Sequence, residues 1–89
     1  MKIKEIIWLV DIVEKLERKH CVNQKEVIDV LENKPKFRFV EKGYRKGEDI
    51  YAALGQTYEG RYLIVFFVYK KNGQALIISA RDMTRSERR

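Results

Sequence analysis

The chemistry open to this sequence is concentrated in five arginines: Arg81, Arg85, Arg88 and Arg89 follow directly on an apolar run, and Arg61 opens the neighbouring one. A guanidinium group offers paired N–H donors and keeps its charge at any physiological pH. It is therefore suited to hold phosphate and to stabilise charge building on a phosphoryl group. A solvated basic terminus produces the same pattern, so the arginines alone leave both readings open. His20 is the natural candidate for acid–base work, because an unperturbed imidazole titrates near neutrality. A histidine at that place can equally cap helix carbonyls beside Lys19. Lys19 and Glu87 are further candidates, and Glu87 can also serve only as a capping residue. Tyr58, Tyr62 and Tyr69 present rings on which bases could stack, although strand tyrosines also complete cores.

Other chemistries find little material. One His and one Cys, His20 and Cys21, adjacent in the chain, cannot supply the usual metal-ligand sets. No metal site or cofactor is expected. The five glycines are scattered singly, and none precedes Lys-Ser/Thr in the spacing of a phosphate-binding loop. Nothing places Ser79 on a strained nucleophile turn. Cys21 reads as a small packed apolar residue rather than a reactive thiol.

The elements that must position these residues form one domain, since 89 residues support a single core. Hydrophobic residues at 45% and charged residues at 36% favour folding over disorder. A lone cysteine, and an N-terminus without a signal-peptide pattern, predict a cytoplasmic home. The run 62–69 is far too short to cross a bilayer as a helix, so no membrane association is expected. The net charge of +6 is unevenly placed: residues 1–33 carry six Lys/Arg against seven acids, and residues 34–89 carry thirteen against six. Such asymmetry suits a polyanionic partner, nucleic acid or acidic protein, or else a solvated lysine-rich surface.

A first helix is predicted from Asp11 as N-cap, with Ile12, Val13 and Leu16 as its apolar stripe and Leu9 one turn earlier. Residues 3–8 read as a short strand or as a backward extension of that helix. A second helix starts at Asn23, with Glu26 completing a capping box and Val22 and Val27 forming a hydrophobic staple. Asn33, as a left-handed cap, and Pro35 end it. The alternation Phe37-Arg38-Phe39 then opens four predicted strands at 36–41, 50–58, 61–70 and 74–81. Glu59-Gly60 and Asn72-Gly73 give antiparallel hairpins, and the third strand, apolar on both faces, is placed centrally. The spacing of Thr84 and Glu87 predicts at most one further helical turn.

The segment 77–89, Ile-Ile-Ser-Ala-Arg-Asp-Met-Thr-Arg-Ser-Glu-Arg-Arg, resembles the closing signature of the BrnT toxins, a strand ending I-I-S-A-R followed by T-x-x-E-R. Lys19-His20-Cys21-Val22 with Glu26-Val27 is similar to that family's K-H-G-V segment, and Gly60-Arg61-Tyr62-Leu63 to its G-R-x-L strand start. The chain departs from the family where Cys21 replaces the glycine after K-H, and where only Trp8 remains of the usual opening element. The resemblance implies an α+β fold, RelE-like, with two N-terminal helices packed on a twisted antiparallel sheet of about four strands. A single BrnT-like toxin domain would span residues 1–89.

The resemblance also implies a type II toxin that inhibits growth by cutting RNA without a metal. Its partners would be an RNA substrate and a BrnA-type antitoxin protein, with operator DNA reached only through the antitoxin. Cleavage of that kind needs help for attack by the 2′-hydroxyl, stabilisation of the extra charge on phosphorus and a proton for the leaving 5′-oxygen. Arg61 and Arg81 are expected as phosphate and transition-state ligands and His20 as acid or base. Lys19, Arg85 and Arg88 are expected to contact RNA. The alternative is a non-catalytic member of the fold that binds the antitoxin or nucleic acid.

Overall fold

A computed structural model describes residues 1–89. In chain order the elements are β1 (Glu5–Ile7), α1 (Val10–Lys15) running into a π-helical turn at Leu16–His20, α2 (Gln24–Glu32), β2 (Lys36–Glu41), β3 (Asp49–Gln56), β4 (Tyr62–Tyr69) and β5 (Gln74–Asp82). The sheet has five strands, not four, in the order β1-β5-β4-β3-β2. It is mixed rather than wholly antiparallel, because β1 pairs in parallel with β5 from Glu5↔Gln74 to Ile7↔Leu76. Three residues are too few to show a period in the sequence. What fixes β1 is tertiary: Ile6 packs on the main core, and Lys4 N–H donates to the Gly73 carbonyl at 2.8 Å.

The helices cover one face. Leu16, Val22, Val27 and Val30 pack there against Ala53, Leu63, Val65, Phe67, Ala75, Ile77 and Ala80. β4 lies in the middle of the sheet, as its apolar run requires, with Phe67 and Leu63 fully buried on the helix side. Its alternate residues Ile64 and Phe66 join Ala52, Leu54 and Met83 in a smaller cluster on the opposite face. No helix is long and apolar enough to cross a membrane.

Local signals explain most boundaries. The capping box at α2 is present in both directions, Glu26 N–H to Asn23 Oδ1 at 2.9 Å and Asn23 N–H to Glu26 Oε1 at 3.1 Å. Val22 and Val27 of the staple are both buried. At α1 the cap is Leu9 rather than Asp11, and no side chain bonds there. Asp11 sits in the first turn, where its charge still favours the helix N-terminus. The left-handed residue after α2 is Lys34 (φ 48°), not Asn33. Pro35 excludes helical backbone at the residue before it, and the Asn33 amide instead donates to the Gln56 carbonyl at 3.1 Å, tying the helix end to β3.

The two later hairpins close identically. Thr57 N–H bonds to Arg61 O (2.9 Å) and Gly60 N–H to Thr57 O (2.9 Å); Lys70 N–H bonds to Gln74 O (2.8 Å) and Gly73 N–H to Lys70 O (2.9 Å). Each is a three-residue loop whose last residue must be left-handed, and Gly60 (φ 98°) and Gly73 (φ 87°) meet that need. After β5, Thr84 and Glu87 cap one another, Thr84 N–H to Glu87 Oε1 at 2.8 Å and Glu87 N–H to Thr84 Oγ1 at 3.2 Å, around a single turn.

Candidate functional site

The two arginines with the strongest sequence case lie on opposite faces of the sheet. Arg81 pairs with Ile64 and so projects away from the helices, whereas the next residue, Asp82, pairs with Leu63 and projects towards them. Arg61 precedes β4 and belongs to the helix side. The expected trio of Arg61, Arg81 and His20 is therefore not one constellation.

Arg61 is a structural clamp. Its Nε and Nη2 donate to the two Asp82 carboxylate oxygens at 2.8 and 3.2 Å. Nη2 also donates to the His20 carbonyl at 3.0 Å, and Nη1 to the Cys21 carbonyl at 2.7 Å and Glu26 Oε2 at 3.0 Å. All five N–H groups are thereby occupied. Asp82, first by this hydrogen bonding and then by charge, and Glu26 likewise, hold the guanidinium pKa still further above its ordinary value against partial burial. The hollow beside it is lined by Glu26, Asp29 and Glu59 against Lys25 and Arg61. Such surroundings disfavour phosphate, and where the sequence reading expects a phosphate ligand the structure has every Arg61 donor bonded to protein.

What Arg61 clamps is a strained turn. The π-helical segment ends at Cys21, whose φ of 52° is left-handed, and the N–H groups of Cys21 and Val22 both return to the Leu16 carbonyl. This is the position where the resembled family carries glycine, for which that conformation is free of Cβ strain. The clamp fixes the backbone of His20, and its half-buried ring stands near enough to Asp82 for its charge to help hold that carboxylate low. The Arg61 bonds are the larger cause of the Asp82 shift. The start of β4 is itself fastened, because Thr57 Oγ1 accepts from Arg61 N–H at 3.0 Å and buried Asp29 accepts from Tyr58 N–H at 3.3 Å.

The opposite face carries a cleft of about 400 Å³ between the start of β2, β3, β4 and the turn after β5. Lys34, Lys36, Arg38, Arg88 and Arg89 line it, with Glu87 as its single acidic side chain. Glu87 is already paired, accepting from Arg81 Nη1 at 2.8 Å and Nη2 at 2.9 Å. That bidentate bond, followed by the Thr84 N–H, holds the Glu87 carboxyl down to about 2, and Glu87 in turn raises Arg81. Arg81 Nη1 also donates to the Asp82 carbonyl at 3.1 Å, which leaves its Nε–H and one Nη2–H for a ligand. The guanidinium lies 5.6 Å from the Phe66 ring centroid, so its flank is apolar. Arg88 covers the ring of Tyr62 at 4.1 Å from its centroid.

Of the residues expected to contact RNA, Arg88 lines the cleft, while Arg85 is exposed on the adjacent turn and Lys19 is exposed at the end of the π-helical segment on the helix side. Lys34, Lys36 and Arg38 were not singled out from sequence. The signal was present in Lys36-Phe37-Arg38-Phe39, because the alternation that predicts a strand also puts Lys36 and Arg38 on one face. The register confirms it, with Lys36 opposite Leu54 and Arg38 opposite Ala52.

Comparison with known proteins adds two findings. The family model described as "Ribonuclease toxin, BrnT, of type II toxin-antitoxin system" matches residues 12–87. Among solved structures, the chain is similar to the 1.1 Å crystal structure of the Brucella abortus ribonuclease toxin, BrnT, with a TM-score of 0.66 and 17% identity, covering 91% of this chain and 97% of that one. At that identity the likeness speaks for the fold. No curated protein matches the chain by sequence.

Proposed function

Because the chain belongs to the BrnT family of ribonuclease toxins of type II toxin–antitoxin systems, we propose that it is a metal-independent endoribonuclease that binds RNA in the basic cleft and is restrained by a BrnA-type antitoxin. The observation that carries this reading is the side-chain charge of the cleft: five cationic side chains face one acidic side chain, Glu87, which is already bound to Arg81. Neutralising several phosphates supplies the sequence-independent part of RNA affinity. In this reading the fold is RelE-like, no cofactor is needed, and operator DNA is touched only by the antitoxin.

The chemistry is attack of a ribose 2′-oxygen on the adjacent phosphorus, giving a 2′,3′-cyclic phosphate and a free 5′-hydroxyl. The 2′-hydroxyl proton passes to a base, and the leaving 5′-oxygen takes a proton from an acid. Arg81 stabilises charge on the non-bridging oxygens through its unoccupied donors. His20, the side chain suited to acid–base work, lies on the opposite face near Asp82, so no proton transfer at the phosphate held by Arg81 is assigned to it. Arg61 positions His20 and does not touch substrate. Arg85, exposed on the adjacent turn, extends the binding surface beyond the cleft, and Lys19 offers a separate cation on the helix side.

A non-catalytic binding module remains the second reading, favoured by the ion pairing of both Arg61 and Arg81 to carboxylates of the chain. Induced expression separates the two readings. Growth arrest and RNA fragmentation by the wild type, abolished by Arg81→Ala and by co-expression of the neighbouring antitoxin, are the expected result. Normal growth with intact RNA and soluble, folded protein supports the binding module instead.

A further inference from the structure

We propose that the face of Tyr62 is a stacking platform for one unpaired nucleobase, so that the cleft takes single-stranded RNA and rejects duplex. The inference rests on the RNA-binding reading above and names the form of RNA that the same cleft accepts.

Tyr62 is the aromatic side chain in the cleft, and it is set among cations. It stands at the first position of the central strand, where its backbone pairs with Gln56. Its carbonyl accepts from Met83 N–H at 3.1 Å. The platform is thus held by the sheet on one side and by the turn after β5 on the other. Its ring face is covered by the planar cation of Arg88, 4.1 Å away. A surface that already accepts a flat, delocalised group accepts a base, because every base presents a π face of that kind.

The exchange leaves no group stranded. Arg88 is exposed, and the guanidinium lifted from the ring remains beside the cleft, free to take the adjoining phosphate. Lys36 and Arg38 line the same cleft, so backbone and base are recognised on different residues. The cleft measures about 400 Å³, room on the scale of one nucleotide. A base inside a duplex has both faces covered by its neighbours, and only an unstacked one can meet Tyr62.

The test uses the full chain and 2′-O-methyl RNA octamers, which lack the attacking hydroxyl and survive binding. One octamer carries a 2-aminopurine, and the same sequence is prepared as a duplex. The wild type is expected to bind the single strand about tenfold more tightly than the duplex and to quench the 2-aminopurine. Tyr62→Leu should lose about tenfold in single-strand affinity with the same salt slope, while Tyr62→Phe binds as the wild type does. Unchanged affinity in Tyr62→Leu, or an equal loss in Tyr62→Phe, overturns the platform alone. If Tyr62→Leu does not fold, the wild-type quench decides: an unquenched probe in a saturated complex overturns the proposal. Absence of any wild-type binding at low salt overturns the RNA reading itself and the platform with it.

Discussion

The Arg61 guanidinium donates to the Cys21 carbonyl at 2.7 Å, joining the start of the central strand to a left-handed residue at the end of the first helical segment. The two positions belong to separate motifs in the sequence, and this bond makes them one unit in the fold. One motif requires a backbone turn, and the other supplies the cation that holds it.

Removing the clamp should be a stability lesion. Arg61→Ala leaves Asp82, Glu26 and two carbonyls without their donor, and a loss of about 2–3 kcal/mol is expected in urea unfolding. Arg61→Lys should recover little, because an ammonium cannot reproduce the fork. Full stability together with abolished RNA binding would instead make Arg61 a phosphate ligand.

Relieving the turn should act in the opposite direction. Cys21 is exposed and left-handed, so Cys21→Gly removes Cβ strain while sacrificing little packing. The strain relieved exceeds the added backbone entropy, and a gain of about 0.5–1 kcal/mol is expected. The midpoint of chemical unfolding, compared with that of Cys21→Ala, measures it; a loss on Cys21→Gly contradicts the account of the turn.

Much of this was legible in the residues. The Asn23–Glu26 capping box, the Val22–Val27 staple, the two glycine-closed hairpins and the central place of β4 follow from short-range signals that the structure reproduces. β1 was less legible, because three residues show no period and its parallel partner is 69 residues away in sequence at Glu5–Gln74. For the site, the arginine-rich end of the chain is where the structure places Arg88 on the cleft and Arg81 beside it, bound to Glu87. The separation of Arg61 from Arg81 was hidden, since it depends on which face each meets and on carboxylates brought from Glu26 and Asp82. Lys36 and Arg38 join the site only when β2 is laid beside β3.

Acid should loosen the turn after β5 before the core yields. Glu87 is held down to about 2 by Arg81 and the Thr84 N–H, and Asp82 is lowered by Arg61. Depressed carboxyls add stability that is complete above the unfolded value near 4 and disappears as pH falls through the folded one. Stability should therefore decline from about pH 5 towards pH 2. With Arg81 partly exposed, its pair with Glu87 contributes on the order of 1 kcal/mol. Glu87→Gln should lose that amount at neutral pH and show a shallower acid decline in urea titrations at stepped pH. An unchanged pH profile removes the pair from the account.

The central claim is that RNA is cut on the basic cleft without a metal, and the most direct measurement is cleavage of an end-labelled RNA by purified protein in excess chelator. Wild type is compared with the Lys36→Ala/Arg38→Ala double variant and with Arg81→Ala, each first shown to unfold at the wild-type midpoint to within about 1 kcal/mol. The account predicts cleavage by the wild type with a 2′,3′-cyclic phosphate at the new end. It predicts loss of cleavage by Arg81→Ala. For the double variant it predicts weaker RNA binding with a salt slope smaller by about 1.4, or about 0.7 for each phosphate no longer neutralised. Cleavage abolished by chelator, or undiminished in both folded variants, would contradict it.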